Sequence, residues 1–221
     1  MNNEQALREA ICEVGRRVWQ KGFVAATDGN ISVRFGKGVF LCTPSGVSKG
    51  FMAPEDLVAV NASGEKIAGT GRVTSEFFTH LAAYEERPDI AAVVHAHPPK
   101  AVAASLAGLS LAEPVLPEVL LTLGGIPTVP YATPATEEGG AAIRDSIRSC
   151  DAVLIAKHGS ITVGRDVFDA YRKLEKIEHA AETLLWANLV GKPGYLSETE
   201  IETLRRLQQK YTPESHFSEP E

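Results

Sequence analysis

The stretch Ile90-Ala-Ala-Val-Val-His95-Ala-His97 constrains this chain more than any other. Five apolar residues run into two histidines one residue apart, and in an extended strand alternate side chains leave the same face. His95 and His97 then stand side by side, spaced for a shared ion such as Zn²⁺, which takes histidine nitrogens at about 2.0–2.1 Å. A second apolar run, Ala152-Val-Leu-Ile-Ala, ends just before Lys157-His158-Gly159 and makes His158 a candidate third ligand. The same spacing also fits a strand with one histidine exposed and the other hydrogen-bonded in a core. The pair alone leaves both readings open.

The remaining elements follow from periodicity. A helix is expected over about 4–21, with Asn2 and Gln5 as a capping box, Ala6, Ala10, Ile11, Val14 and Val18 inward, and Gly22 ending it. Strands are expected at 31–35, at 40–42 on the return from a Phe35-Gly-Lys-Gly-Val39 hairpin, and at 57–61 before the Ala62-Ser-Gly64 turn. Thr74 or Ser75 is placed to cap a helix with Phe77, Leu81 and Tyr84 inward, stopped by Pro88. Strand 90–94 is followed by an alanine-rich helix to about Leu106. Val115 to Leu123 fits helix or strand equally, and only the break at Gly124-Gly125 is clear. A helix over 137–149 carries Ala141, Ile143 and Ile147 inward, followed by strands at 152–156 and 161–163. The longest helix, 166–190, carries Val167, Tyr171, Leu174, Ala181 and Leu185. A last helix opens on the capping box Ser197-x-x-Glu200, uses Ile201, Leu204 and Leu207, and runs to Tyr211. Short hairpin strands with helices between them imply one α/β domain over 1–221, a mostly antiparallel sheet covered by helices, with 213–221 a flexible tail.

Composition narrows the function classes. The formal net charge is −6, with no Lys/Arg cluster to neutralise a row of phosphates, so nucleic-acid binding is disfavoured. Cys12, Cys42 and Cys150 are odd in number and far apart, which fits a reducing compartment better than disulfides. No signal peptide is visible and no apolar stretch approaches the roughly 18–20 residues of a membrane span. These features read as a soluble cytoplasmic protein without membrane partners. Neither G-x-G-x-x-G after a strand nor a Walker A sequence is present.

Glu76 falls in the opening turn of a helix, where a carboxylate is favoured by the helix dipole; beside a metal it would also serve as a general base. Thr74 and Ser75 add hydroxyls and helix-start N–H groups at the same point, as an anion site requires. Asp28-Gly29-Asn30 and Ser45-Gly46 are two further small polar turns of the sort that converge on phosphate. His80, four residues after Glu76, reads as structural or as a partner beside the ligands. His179 reads as solvated, and His216 lies in the tail.

Together, Gly29-Asn30-Ile-Ser-Val-Arg34, Thr43-Pro-Ser-Gly46, Thr74-Ser-Glu76, Val94-His95-Ala-His97 and His158-Gly159 occur in the order and spacing of the class II aldolase family, which includes adducin head domains. The chain resembles that family from its first helix to Tyr211. The resemblance implies Zn²⁺ on His95, His97 and His158, with Glu76 as acid/base close enough to ligate the metal when substrate is absent. It implies a substrate phosphate on Gly29, Asn30, Ser45, Gly46, Thr74 and Ser75. It further implies a homotetramer with sites at subunit interfaces, where Tyr211 reaches a neighbour's site. The implied reaction is cleavage of a ketose 1-phosphate, L-fuculose 1-phosphate or a related 5-deoxy sugar phosphate, to dihydroxyacetone phosphate and a short aldehyde. One position departs from the pattern. Fuculose-type aldolases carry a tyrosine six residues before the Gly-Gly pair, where this chain has Glu118, the candidate aldehyde-side base. A glutamate in that region resembles the family's methylthioribulose-1-phosphate dehydratases, which lack the Thr/Ser-Ser-Glu signature; its pentulose-5-phosphate 4-epimerases carry aspartate at the Glu76 position. A non-catalytic scaffold like the adducin head would have lost the histidines and the glutamate, which this chain keeps.

Overall fold

The computed structural model describes residues 3–113 and 115–211. Its strands are β1 (Asn30–Arg34), β2 (Val39–Cys42), β3 (Val58–Asn61), β4 (Lys66–Ala68), β5 (Ala92–Ala96), β6 (Thr128–Val129), β7 (Ala152–Ile155) and β8 (Gly159–Gly164). Its helices are α1 (Asn3–Gln20), α2 (Phe77–Glu86), α3 (Pro99–Leu106), α4 (Pro117–Leu123), α5 (Glu137–Ile147), α6 (Val167–Val190) and α7 (Glu198–Tyr211). One sheet runs β4-β3-β2-β1-β5-β8-β7-β6, antiparallel at every pairing except β6 with β7.

Side-chain alternation divides this sheet into two buried faces. Ile31 and Val33 of β1 and Ala92, Val94 and Ala96 of β5 pack under α1 and α6, against Ile11, Val14, Val18, Tyr171 and Leu174. Val93, Val153, Ile155, Ile161 and Val163 point the other way, toward Phe77 and Tyr84 of α2 and Ile143 and Ile147 of α5. Phe40 on β2 meets Phe77 and Tyr84 with ring centroids 5.6 and 4.7 Å away. Such pairs add about 0.5–1.5 kcal/mol beyond their buried area. α3, α4 and the second half of α6 extend the α1/α6 layer over Ala152 and Leu154.

Several expectations shift. β5 runs two residues later than its apolar core suggested, so His95 lies inside the strand, where its pairing with β1 and β8 continues past the valines. The ambiguous stretch is helical over α4, closed by Gly124 in the left-handed conformation. β4 was not foreseen; it is an exposed edge strand with no buried face to leave a pattern. Ala6 and Ala141 are exposed, because the buried stripes of α1 and α5 pass through larger neighbours such as Leu7 and Ile143. α2 begins at Phe77 with Glu76 at its N-cap, so neither Thr74 nor Ser75 is the cap residue. Ser197 and Glu200 do form their reciprocal box. Asn2, the proposed tail from 213 and His216 lie outside the described residues. Cys12 and Cys42 are buried, Cys150 is half-buried, and all three are free. No helix among the described residues is long and apolar enough to cross a membrane.

Candidate metal centre

The three histidines meet where β5 and the β7–β8 turn lie side by side. His95 is buried in β5, opposite Asn30 of β1 on one side and Ile161 of β8 on the other. His97 stands one residue past β5, its N–H donating to the Phe23 carbonyl at 2.8 Å. His158 sits in the tight β7–β8 turn, where Lys157 takes φ +62°, a left-handed conformation costly for a residue with Cβ. One nitrogen from each ring lies within 4.8 Å of the others. Gly159 makes that approach feasible. A Cβ there would stand 2.5 Å from the Ala96 carbonyl oxygen and 2.6 Å from His97 Cδ2.

The donor set fits a divalent cation. His95 Nδ1 donates to the Ser160 carbonyl at 2.9 Å, which leaves Nε2 as a bare lone pair. Asp28 Oδ2 lies 3.7 Å from His97 Nδ1 and favours a proton there, so His97 Nε2 is bare as well. These two Nε2 atoms face each other at 3.0 Å. Two lone pairs so placed repel unless a cation lies between them, and nitrogens around one tetrahedral ion stand roughly 3.3 Å apart. Burial pushes all three imidazoles below the ordinary histidine range, keeping them neutral as ligands must be.

Glu76 closes the group. Its Oε2 lies 3.3 Å from His95 Nε2 and its Oε1 3.5 Å from His158 Nε2. Asn30 Nδ2 donates to Oε2 at 2.8 Å. Burial by itself would raise this carboxyl, but positive charge at the His95 and His158 cluster, together with the Asn30 amide, holds it below the usual carboxylate range.

The polar turns gather at the same end of these central strands. Gly29 follows from two demands: its φ is +71°, and a Cβ would meet Val24 Cγ1 at 2.5 Å and the His95 carbonyl oxygen at 2.9 Å. Ser45 N donates to the Arg72 carbonyl at 2.9 Å, and Pro44 bridges to Val73, which pins the Ser45-Gly46 turn beside Thr74-Ser75-Glu76. Thr43 Oγ1 accepts from Ile31 N at 3.1 Å and ties the same loop to β1. Lys49 went unnoticed in the sequence. It is buried, and its Nζ donates to the carbonyls of Thr27 and Val47 at 2.9 and 2.6 Å, clamping the first two turns together. Burial, opposed by Asp28, lowers its ammonium to about 8. A lone lysine in a Gly/Ser loop carries no sequence signal of burial. In the sequence Asp28 likewise carries only the signal of a turn residue.

Two expected site residues stand apart. Glu118 is exposed in the first turn of α4, and no hydrogen bond or ion pair links its carboxylate to the histidines among the described residues. Tyr211 ends α7, and its side chain lies outside the described residues. His179 is exposed on α6, as expected.

Comparison with known proteins agrees with the fold. Residues 9–185 match the family model described as the Class II Aldolase and Adducin N-terminal domain. The 3-oxo-tetronate 4-phosphate decarboxylase of Escherichia coli strain K12 is 32% identical over 91% of this chain and 96% of its own length. The 5-deoxy-D-ribulose 1-phosphate aldolase of Bacillus thuringiensis serovar kurstaki is also 32% identical, over 94% of this chain and 97% of its own. Among solved structures, L-fuculose-1-phosphate aldolase from Thermus thermophilus superposes with a TM-score of 0.75 at 34% identity, covering 85% of this chain and 98% of that one.

Proposed function

This chain belongs to the class II aldolase and adducin family, and from that premise we propose that it is a zinc-dependent aldolase. It is a sugar-phosphate enzyme of the class II aldolase superfamily. The proposed substrate is a ketose 1-phosphate, L-fuculose 1-phosphate or a related 5-deoxy sugar phosphate, split between C3 and C4 into dihydroxyacetone phosphate and a short aldehyde. The observation that carries the reading is the Glu76 carboxylate, set 3.3 and 3.5 Å from the Nε2 atoms of His95 and His158. His95, His97 and His158 would hold a divalent ion, which would supply a Lewis acid for the substrate's oxygens.

The protein's own groups do the rest. Gly29, Asn30, Ser45, Gly46, Thr74 and Ser75 offer donors for the phosphate. As C3–C4 breaks, its electron pair stays on C3 and the C4 hydroxyl loses its proton to a base. Glu76 then relays a proton taken up from solvent to C3 and ends ionised, and in the synthetic direction that carboxylate removes one from the same carbon. Glu118 is the proposed base at C4. Its exposure suits a group supplied across an interface, and with Tyr211 it would enter a neighbour's site in a homotetramer.

A second reading is favoured by the 32% identity to the decarboxylase from E. coli. Loss of carbon dioxide from a 3-oxo-tetronate 4-phosphate leaves the enediolate of dihydroxyacetone phosphate, the same fragment that aldol cleavage leaves. Glu76 and the phosphate donors would serve both reactions, which differ only in the departing group. The deciding experiment offers the metal-loaded protein fuculose-, rhamnulose-, 5-deoxyribulose- and methylthioribulose-1-phosphates, ribulose 5-phosphate and a 3-oxo-tetronate 4-phosphate, with NMR detection. Dihydroxyacetone phosphate with an aldehyde supports the aldolase. Carbon dioxide release from the oxo acid alone replaces it with the decarboxylase; a stereoisomer or a diketone phosphate replaces it with an epimerase or a dehydratase.

A further inference from the structure

We infer that His80 is a positioning residue for the Glu76 carboxylate, acting through the side-chain amide of Asn30. The inference rests on the reading above, in which Glu76 handles the substrate proton. His80 is fully buried on α2 and forms no hydrogen bond to the three histidines among the described residues.

Two structural periods bring the row together. Glu76 and His80 are four residues apart where α2 begins, so they share one helix face. Asn30 and Ser32 are two apart on β1, so they share one sheet face. The four side chains interlock between the elements. Glu76 Oε2 accepts from Asn30 Nδ2 at 2.8 Å, and Asn30 Oδ1 lies 2.5 Å from His80 Nε2. His80 Nδ1 lies 2.7 Å from Ser32 Oγ. Tyr84 Oη, 3.0 Å from Ser32 Oγ, donates to the Ser32 carbonyl at 2.9 Å and closes the row.

Valence fixes the direction of these bonds. An ionised carboxylate only accepts, so Asn30 presents NH₂ to Glu76 and its carbonyl oxygen to His80. His80 therefore carries its proton on Nε2, and its bare Nδ1 accepts from the Ser32 hydroxyl. The same logic runs in reverse. Without a donor at position 80, the Asn30 oxygen is buried and unsatisfied, and the amide is free to turn over. Its oxygen would then face Glu76 Oε2, two acceptors in contact, and the carboxylate would leave its place between His95 and His158. A residue that merely fills space would not need a defined tautomer.

The test compares metal-loaded wild type with His80→Leu, His80→Gln and His80→Asn. Rates come from solvent proton exchange into dihydroxyacetone phosphate, with metal content and thermal unfolding measured alongside. The amide of glutamine reaches the position of histidine Nε2 and restores a donor to Asn30; that of asparagine reaches only the Nδ1 position. Expected is a fall in kcat of roughly 10–100-fold for leucine and asparagine, a change in KM below about threefold, and recovery of most of the rate by glutamine. Equal losses in the leucine and glutamine variants at equal metal content would overturn the inference, as would full kcat with leucine. If the leucine variant fails to fold, nitrogen NMR of histidine-labelled wild type decides: an Nε2–H tautomer at His80 supports the inference, and an Nδ1–H tautomer or an imidazolium at neutral pH overturns it. That spectrum is read without substrate. Wild type that catalyses no exchange but shows the expected tautomer therefore counts against the function and not against the hydrogen-bonded row.

Discussion

Asn30 and His95 are direct partners across the antiparallel pairing of β1 and β5. That register aims the Asn30 amide and the His95 imidazole at one carboxylate, Glu76, 46 residues from Asn30 in sequence. One end of the central β1–β5 pair thus unites a ligand, its carboxylate and the amide that holds the carboxylate in place.

The protein should bind about one divalent ion per chain, zinc under ordinary expression. Replacing His95, His97 or His158 by alanine should remove the ion and the activity together, whereas His179→Ala should remove neither. Elemental analysis of purified variants checks this; a triple alanine variant that keeps its metal would refute the site.

Glu76→Gln should keep metal and fold and lose about 10²–10⁴ in rate, because the amide cannot carry the proton. Glu118→Gln should slow cleavage of the complete ketose phosphate more than proton exchange into dihydroxyacetone phosphate, which needs no base at C4. Parallel kinetics of the two reactions read the difference. Equal suppression of both by Glu118→Gln would show that the two carboxylates do not divide the work in this way.

Gly159→Ala should damage the metal site without touching a ligand. The new methyl would press on the Ala96 carbonyl oxygen and on the rings of His97 and His95. Overpacking of this sort costs about 1–3 kcal/mol. Lower thermal stability with weakened metal affinity is expected, measured by calorimetry and metal titration.

Stability should fall on the acid side. Burial pushes the His80 imidazole down to about 3 in the folded protein, far below its value in an unfolded chain. The unfolded state therefore binds more protons, so His80's contribution is complete above about pH 6.5 and is lost as pH falls toward 3. The loss is on the order of several kcal/mol at the acid end. Denaturant unfolding from pH 7 to pH 4 should show a shallower decline for His80→Gln than for wild type.

Glu178→Ala should destabilise the segment that follows His97. The buried Glu178 carboxylate, on α6, accepts from the backbone N–H groups of Lys100 and Ala101 in the first turn of α3. Leaving such donors unpaired costs about 1–3 kcal/mol each, and hydrogen exchange should rise selectively at residues 100–102.

What the sequence determined by itself was local and periodic. Alternation placed β1 and unbroken apolar runs placed β2 and β7 within a residue or so, and the 3.6-residue stripe placed α1 and α6, because each signal needs only neighbouring residues to show. The spacing of His95 and His97 announced a metal pair for the same reason. The tertiary structure decided whatever depends on pairing across the chain. The β5–β8 register brings His158 to His95, and the Ser45–Arg72 bond sets one polar turn against another. The seating of α2 on β1 turns Glu76, Asn30, His80 and Ser32 into one row. In the sequence His80 was a helix histidine and Lys49 a loop lysine, since neither carries a periodic signal of its partners. Glu118 depends on tertiary structure as well: its place in the chain suggests a catalytic base, and in the single chain it is exposed on α4 with no hydrogen bond to the histidines among the described residues. Backbone periodicity is written in adjacent residues, whereas a site is assembled by contacts whose free energy exists only once the sheet has closed.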